Sequence, residues 1–328
     1  MPKFQGSSRL PDSELWKEGQ ARMQISCWSD RLDSLARDKT FWPQFKSEIQ
    51  SMSSSDLIFL SRFAATSDFQ SILHLAVRDD QMDCISLLGQ EKSLIERRNC
   101  YGMTPLELAQ FLHKQRSAAL MGASQRCEFL KQPNVEFEPS DHLVAIDTEY
   151  VAHPVFESHD LLDEILAYTR KAKDDEIISS ERIWMGVYYD MEIQQGTHPL
   201  MSVRWIDQNI GFGVFASERI MPCSYVGEYT GLIQERKPRH VKESNYCIRY
   251  TSWQTGKRPH VIDAEKMGNF TRFINHSDQP NVSLVCVYWR GMPRLIFVSL
   301  REIPEGGQIT FDYGKTFWKQ SNQTKINI

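Results

Sequence analysis

The sequence predicts an α+β chain, helical through its first half and mostly β from about residue 200 to its end. Three observations carry that expectation. Similar six-residue strings recur at a 33-residue offset in the first half. The hydrophobic pattern changes from a helical to an alternating period near residue 184. The last third holds four Gly- and aromatic-containing segments in a fixed order, joined by short strand-like runs.

The elements are taken in chain order. Asp30 to Ile49 and Ser55-Asp56-Leu57-Ile58-Phe59-Leu60-Ser61-Arg62-Phe63 are candidate helices, the second with an N-cap followed by an apolar face, so residues 1–65 read as a helical segment capping a pair of repeats. Ser71-Ile72-Leu73-His74-Leu75-Ala76 and Thr104-Pro105-Leu106-Glu107-Leu108-Ala109 are the repeated strings. Between them Met82 to Leu88 has apolar residues three and four apart, and Ile95 to Gly102 reads as a polar turn. Residues 123–199 read as a connector and a region preceding the mostly-β part, with Pro133 and Pro139 breaking the pattern and a helix from about His159 to Lys173. The aromatic and β-branched runs Trp184 to Tyr189 and Met201 to Ile206 are expected to be strands about a Gln195-Gly196 turn. Short strands fill residues 200–318, and 319–328 is a flexible tail.

Composition bounds the function. The 328 residues, 41% hydrophobic with a formal charge of −4, are globular in type and long enough for two or three domains. A wholly disordered or collagen-like chain is excluded. No run of about eighteen apolar residues is present to span a bilayer, and Met1 to Leu10 lacks the apolar core of a secretory signal. Seven scattered cysteines without a C-x-x-C pair argue against a disulfide framework and a structural zinc cluster, so no metal and a reducing compartment are expected. The near-neutral charge hides a division: residues 200–328 carry +6 and the remainder −10. A basic half is compatible with nucleic acid or an acidic surface, and equally with a solvated exterior.

With its 33-residue period, the segment 66–122 resembles two ankyrin repeats, with Phe69 where the second copy has Gly102 and Ile72 where it has Pro105. The resemblance implies a protein partner, since such stacks bind proteins and nothing here suggests catalysis. An ordinary pair of helical hairpins is the alternative.

The four ordered segments are Gly211-Phe212-Gly213-Val214-Phe215-Ala216, Tyr225-Val226-Gly227-Glu228, Gly268-Asn269-Phe270-Thr271-Arg272-Phe273-Ile274-Asn275-His276-Ser277-Asp278-Gln279-Pro280-Asn281, and Ile309-Thr310-Phe311-Asp312-Tyr313-Gly314. Each is weak alone; together they resemble the SET domain of protein lysine methyltransferases, over about 200 to 318. The resemblance implies a mostly-β domain with a knot-like crossing, S-adenosyl-L-methionine as cofactor and methyl transfer to a lysine, with a histone as the favoured substrate.

That chemistry requires a lysine amine, ordinarily near pKa 10.4, to lose its proton before attack, which burial and a neighbouring cation both promote. It also requires a narrow aromatic channel holding nitrogen, methyl and sulfur in line. Tyr225, Tyr246, Tyr250, Phe273, Phe311 and Tyr313 are suitable parts. By the resemblance, Gly211, Phe212 and Gly213 bring backbone to the cofactor, and Arg272, Phe273, Asn275 and His276 hold its adenine and amino-acid parts. Tyr313 stands beside the transferred methyl, Tyr225 walls the lysine channel, and Tyr246 lies on the cofactor or substrate wall. Phe311, where relatives carry Tyr or Phe, is by the resemblance compatible with di- or trimethylation, and also with ordinary strand packing. His276 taken alone would read as a core histidine, and lone strand tyrosines as packing residues.

Departures from the family matter too. Asp278 stands where many relatives have a zinc-binding cysteine, and no cysteine follows Cys286, so Phe317 or Trp318 is expected to serve as an aromatic lid. The patches Arg236-Lys237-Pro238-Arg239-His240 and Lys257-Arg258-Pro259-His260 are compatible with contact to nucleosomal DNA or acidic substrate residues, and with solvated loops. The alternative function is an ankyrin/SET scaffold with little activity. The pairing of the two modules is similar to what some intracellular bacteria deliver into host cells, which sets the expectation of a cytoplasmic or nuclear location.

Overall fold

The computed structural model describes residues 12–123, 128–238, 244–250, 253, 259–314 and 318, and the chain divides into two compact units. The first contains residues up to Ala109 together with Lys114–Ala123; the second contains Gln110–His113 and the chain from Ser124 onward.

Among the described residues the N-terminal part has eight α-helices: α1 (Asp12–Arg37), α2 (Trp42–Ser51), α3 (Ser54–Phe63), α4 (Ile72–Arg78), α5 (Met82–Leu88), α6 (Lys92–Ile95), α7 (Pro105–Phe111) and α8 (Gln115–Leu120). The expected helix over Asp30 to Ile49 is two helices broken at Asp38, whose carboxylate accepts from the Thr40 amide and competes with the helical ladder. Ser53, two residues before the expected cap, starts α3 by accepting from the Asp56 amide. Arg97 ends α3 by donating to the Ser61, Arg62 and Ala64 carbonyls at 2.8–2.9 Å.

The 33-residue offset of the sequence is an offset of the backbone. Helix α7 begins 33 residues after α4, and α8 begins 33 residues after α5. Before each pair, a turn closes through Thr66 N–H to Gln70 O and through Asn99 N–H to Met103 O, both at 3.0 Å. Positive φ recurs at the same offset, at Phe69 and Gly102 and again at Asp80 and His113. Phe69 thus adopts the left-handed conformation that glycine supplies in the other copy, at a steric cost. Cys100 N–H donates to Asp68 O at 3.1 Å, joining one turn to the other. Ile72, Leu73, Leu75, Ala76, Val77, Ile85 and Leu88 are buried in the first pair and Leu108, Ala109, Phe111 and Ala118 in the second, so the apolar face of each pair is covered.

The second unit contains β1 (Val135–Phe137), β2 (Glu149–Tyr150), β3 (Val155–Phe156), α9 (His159–Asp174), α10 (Ser180–Tyr188) and α11 (Asp190–Gln195). After these come β4 (Met201–Asp207), β5 (Gly211–Ala216), β6 (Tyr225–Glu228), β7 (Leu232–Glu235), β8 (Cys247–Arg249), β9 (His260–Asp263), β10 (Met267–Gly268), β11 (Asn275–His276), β12 (Val282–Trp289), β13 (Met292–Ser299) and β14 (Thr310–Phe311). They assemble as small sheets ordered β1-β4-β5, β3-β7-β9-β8 and β12-β13-β6, with two-stranded pairs β2-β10 and β11-β14.

Two expectations need correction. Trp184 to Tyr188 is helix, with Tyr189 its C-cap, not strand: Ser179 caps α10, Glu181 lies in its first turn, and Gly186 lets it press onto β12, where a Cβ would come within 1.9 Å of the Tyr288 carbonyl oxygen. The run is made largely of aromatic and β-branched residues, types favoured in strands, and tertiary packing on β12 overrides that local preference. The stretch read as a connector also supplies a strand, Val135–Phe137, in parallel register with Met201–Val203.

Candidate active site

Strand β5 enters the site through a tight turn. Asp207 Oδ1 accepts from the Asn209 and Ile210 amides at 2.7 and 2.9 Å, and Gly211 follows with φ +81°. Two residues later the backbone is crowded: a Cβ on Gly213 would lie 2.7 Å from Ile206 Cδ1, 2.9 Å from Gln308 Nε2 and 3.2 Å from Asn275 Nδ2. Phe212 contributes its carbonyl to Asn275 Nδ2 at 2.9 Å and its ring to Trp205 and Phe273, with centroids 5.1 and 5.3 Å away. Gly211, Phe212, Gly213, Phe273 and Asn275, widely spaced in the sequence, are therefore neighbours.

The parallel pair β11-β14 brings the third and fourth motifs together, Asn275 opposite Thr310 and His276 opposite Phe311. Asn281 reinforces it: its side chain donates to the Gln308 carbonyl at 2.7 Å and accepts from the Thr310 amide at 2.9 Å. Just beyond, the Tyr313 amide donates to His276 Nδ1 at 3.3 Å, and the Tyr313 hydroxyl donates to the Ile274 carbonyl at 2.9 Å. His276 is thus an acceptor for this backbone amide, with its ring nitrogens 3.3 Å from Asp278 Oδ1 and 3.7 Å from Asp312 Oδ1. Trp318 stacks on Tyr313 at 5.9 Å and 13°, and meets His276 edge-on at 4.9 Å. Phe311 lies 4.8 Å from Tyr313 and 5.1 Å from Phe297. Burial pushes the Tyr313 hydroxyl well above the ordinary phenol range, so it remains a neutral phenol at physiological pH. Of the two expected lid residues Trp318 reaches this cluster; Phe317 lies outside the described residues, as do Arg239, His240, Lys257 and Arg258 of the basic patches.

Arg272 is enclosed by rings. Its guanidinium lies 3.9 Å from the Tyr246 centroid and 5.2 Å from that of Phe273, and it donates to Thr148 Oγ1. Burial lowers its pKa, an effect opposed by Tyr246 and Tyr229. Tyr229, which no motif singles out, donates its hydroxyl to the Tyr246 carbonyl at 2.6 Å and lies close enough to Arg272 and Tyr313 to interact with both electrostatically. The two-residue period Tyr225-Gly227-Tyr229 was the available signal.

Tyr225 occupies different surroundings. It is buried, its ring is 6.1 Å from Tyr189, and it lines a small polar cavity with Tyr150, His198, Glu228, Asn269 and Phe270. Beside it, fully buried Arg294 grips both Glu228 carboxylate oxygens and donates to His153 Nδ1 at 3.2 Å. Burial pushes the Glu228 carboxyl above its ordinary range, and the charge and hydrogen bonds of Arg294 oppose that shift. Tyr250 is a core residue, its ring 6.3 Å from Phe156 and its hydroxyl donated to the Pro293 carbonyl.

Residues 211–314 match the SET domain family model. A stretch of 115 residues is 35% identical to the human histone-lysine N-methyltransferase EHMT1, covering 34% of this chain and 9% of that protein. Another of 112 residues is 37% identical to the histone-lysine N-methyltransferase set-2 of Caenorhabditis elegans, covering 31% of this chain and 7% of that one. The chain therefore spans less than a tenth of the length of these relatives. Among solved structures, KRYPTONITE in complex with mCHH DNA, H3(1-15) peptide and SAH aligns at a TM-score of 0.30 and 30% identity, over 35% of this chain and 23% of that one. The C-terminal part of this chain, matched over residues 211–314, carries a SET domain.

Proposed function

We propose that the chain is an S-adenosyl-L-methionine-dependent protein lysine N-methyltransferase. The observation that carries this reading is the pairing of Asn275-His276 with Thr310-Phe311, which sets Tyr313 between His276, Phe311 and the Ile274 carbonyl. The residues fit the cofactor: Arg272 Nε and Gln308 Nε2 are buried polar atoms without a hydrogen-bond partner among the described residues, and a Cβ on Gly213 would push aside the Ile206, Gln308 and Asn275 side chains. Gly211, Phe212, Gly213, Asn275 and His276 would hold the cofactor, with Arg272, Phe273 and Tyr246 beside them and Trp318 as cover. When bound it supplies an electrophilic methyl group on a sulfonium.

The chain's own residues do the remainder. Tyr313 directs its proton to Ile274, so its oxygen lone pairs are left to accept a hydrogen bond from a lysine amine. Its raised pKa makes it an orienting dipole rather than a proton sink, and the amine gives up its proton to bulk water before it enters the ring-lined channel. The enclosing rings of Phe311, Phe297 and Trp318 keep water from the reacting atoms. Tyr225 is assigned to the lysine channel by motif alone.

We also infer that the helical unit consists of two ankyrin-like repeats recruiting a protein partner, supported by the 33-residue recurrence of helices, turn bonds and positive φ. The knot-like crossing is supported by β11 and β14 pairing in parallel with the β12-β13 hairpin between them in sequence. A histone lysine is the favoured substrate because the relatives are named for that activity, and the free cysteines support a cytoplasmic or nuclear location. The test is calorimetric titration with S-adenosylhomocysteine, then radiolabel transfer to histones with Tyr313→Phe as control. Absence of cofactor binding would leave the scaffold reading.

A further inference from the structure

The chain from Glu138 to Glu149 lies outside the four motifs and is anchored at both ends to strands beside them. At one end the Glu138 amide donates to the Val203 carbonyl at 3.0 Å, and its carboxylate holds Arg204 Nε at 2.6 Å. At the other the Glu149 amide donates to the Lys266 carbonyl at 2.8 Å, where β2 pairs with β10. Between these anchors the segment makes one short helical turn, started by Ser140, whose hydroxyl accepts from the His142 amide at 3.3 Å. Asp141, His142, Val144, Ala145 and Asp147 are exposed, Val144 at 92%, so burial of the turn's own apolar side chains does little to hold it in place.

Two of its side chains reach the site instead. His142 lies flat on Trp205, with ring centroids 3.6 Å apart and 19° between the planes. Trp205 meets Phe212 edge-on at 5.1 Å, Phe212 meets Phe273 at 5.3 Å, and Phe273 lies 5.2 Å from the Arg272 guanidinium. Arg272 then donates to Thr148 Oγ1, and the Thr148 hydroxyl donates in turn to the Glu265 carbonyl at 3.2 Å. The run of contacts that leaves the segment at His142 therefore returns to it at Thr148. It passes through Phe212, Phe273 and Arg272, all assigned to the cofactor, and leaves Arg272 Nε without a hydrogen-bond partner among the described residues. A closed circuit restrains each member from two sides, so less ordering is left for a ligand to bring about when it binds.

We propose that residues 138–149 are a strap that positions the cofactor face of the site, with His142 and Thr148 as positioning residues acting through Trp205 and Arg272. The role rests on the methyltransferase reading above. Calorimetric titration of the full chain with S-adenosylhomocysteine reads it. Thr148→Val, which keeps the shape and loses the hydroxyl, is expected to weaken binding about fivefold, and Thr148→Ser to restore it to within about twofold of wild type. His142→Ala is expected to weaken it about threefold, and His142→Phe, which keeps a flat ring for Trp205, to recover it. Because one cut already opens the circuit, the double variant His142→Ala, Thr148→Val should lose less than the product of the two single losses. In the wild type, hydrogen exchange at the Leu143 and Ile146 amides, both bonded within the turn, is expected to slow about tenfold when S-adenosylhomocysteine is added. Circular dichroism checks that the variants are folded. Wild-type affinity in both Thr148→Val and His142→Ala, losses that multiply in the double variant, or exchange unmoved by the ligand overturns the strap while leaving cofactor binding intact. No binding by the wild type overturns the methyltransferase reading, and the strap with it.

Discussion

The hydroxyl of Tyr313 donates to the carbonyl of Ile274 across 2.9 Å while its own backbone amide is held by His276, so both ends of the residue are fixed before any ligand arrives. Such preorganisation places an oxygen lone pair without reorganisation at the moment of reaction. Tyr313→Phe keeps the ring against Trp318 and Phe311 but removes the acceptor. Methyl transfer is expected to fall by about 100-fold or more, with S-adenosylhomocysteine affinity within about twofold of wild type. Single-turnover radiolabel transfer alongside calorimetry reads both quantities, and unchanged transfer would remove Tyr313 from the reaction.

Phe311 sets a different property. Its ring fills the space between Phe297 and Tyr313 and has no hydroxyl to hold a water there. Phe311→Tyr adds that hydroxyl and is expected to shift product from di- and trimethyl-lysine towards monomethyl-lysine. Mass spectrometry of methylated substrate checks it; a wild-type enzyme stopping at the monomethyl stage, with the variant identical, would reject the assignment.

Tyr229 connects the strand before the site to the turn that carries Tyr246. The Tyr246 carbonyl also accepts from the Ala264 amide at 3.2 Å, so removing the Tyr229 hydroxyl takes away one of two anchors on a ring that covers Arg272. Tyr229→Phe is expected to raise KM for the cofactor several-fold, about 1 kcal/mol of lost positioning, with kcat little changed. Faster amide exchange at Cys247 in the ligand-free variant would be the independent sign of a loosened turn. A fall in kcat with KM unmoved would contradict this positioning role.

What the sequence disclosed depended on whether local spacing or distant pairing fixed each feature. Helix α9 was legible to within a residue because Ser158 caps it and Leu161, Leu162, Ile165 and Leu166 keep one face apolar. The repeat was legible because each copy carries its own turn and helix pair. Helix α10 reads as a strand because Trp184, Val187, Tyr188 and Tyr189 are strand-favouring types, although Ser179 and Glu181 mark a helix start. The Glu228–Arg294 pair lies 66 residues apart in sequence with no motif joining the two, and Tyr229 acquires a role only when Tyr246 is brought to it. Such residues are set by tertiary register, which alternation along one strand does not report.

Breaking the Glu228–Arg294 pair tests its structural weight. Arg294→Met leaves a buried carboxylate uncompensated, and a loss of about 3–5 kcal/mol is expected. Adding Glu228→Gln in the same chain removes the charge and should recover a large part of it. Urea unfolding of the single and double variants reads the difference; equal loss in both would mean that packing of the Arg294 side chain on Trp289, not its charge, is what matters.

His74 gives a pH prediction in the helical unit. It is fully buried; its Nδ1 accepts from the Ser71 amide at 3.2 Å, and its Nε2 lies 2.9 Å from the Met103 carbonyl, which requires the neutral ring with hydrogen on Nε2. Burial lowers its pKa from 6.5 to about 4, with Arg97 adding to the shift and the Met103 carbonyl and Asp68 opposing it. Because the folded pKa is the lower one, the unfolded chain binds more protons between these values. The stabilisation is therefore complete above pH 6.5 and is lost as pH falls towards about 4. The change across that window is about 3 kcal/mol at most. His74→Gln cannot titrate there yet can still donate to Met103, so it should flatten the profile. His153, also lowered by burial, acts with the same sign in the other unit, so the readout must be local. Amide exchange of Ile72–Arg78 measured from pH 7 to about 4 provides it, and parallel profiles for wild type and His74→Gln would show that His74 does not carry the acid sensitivity.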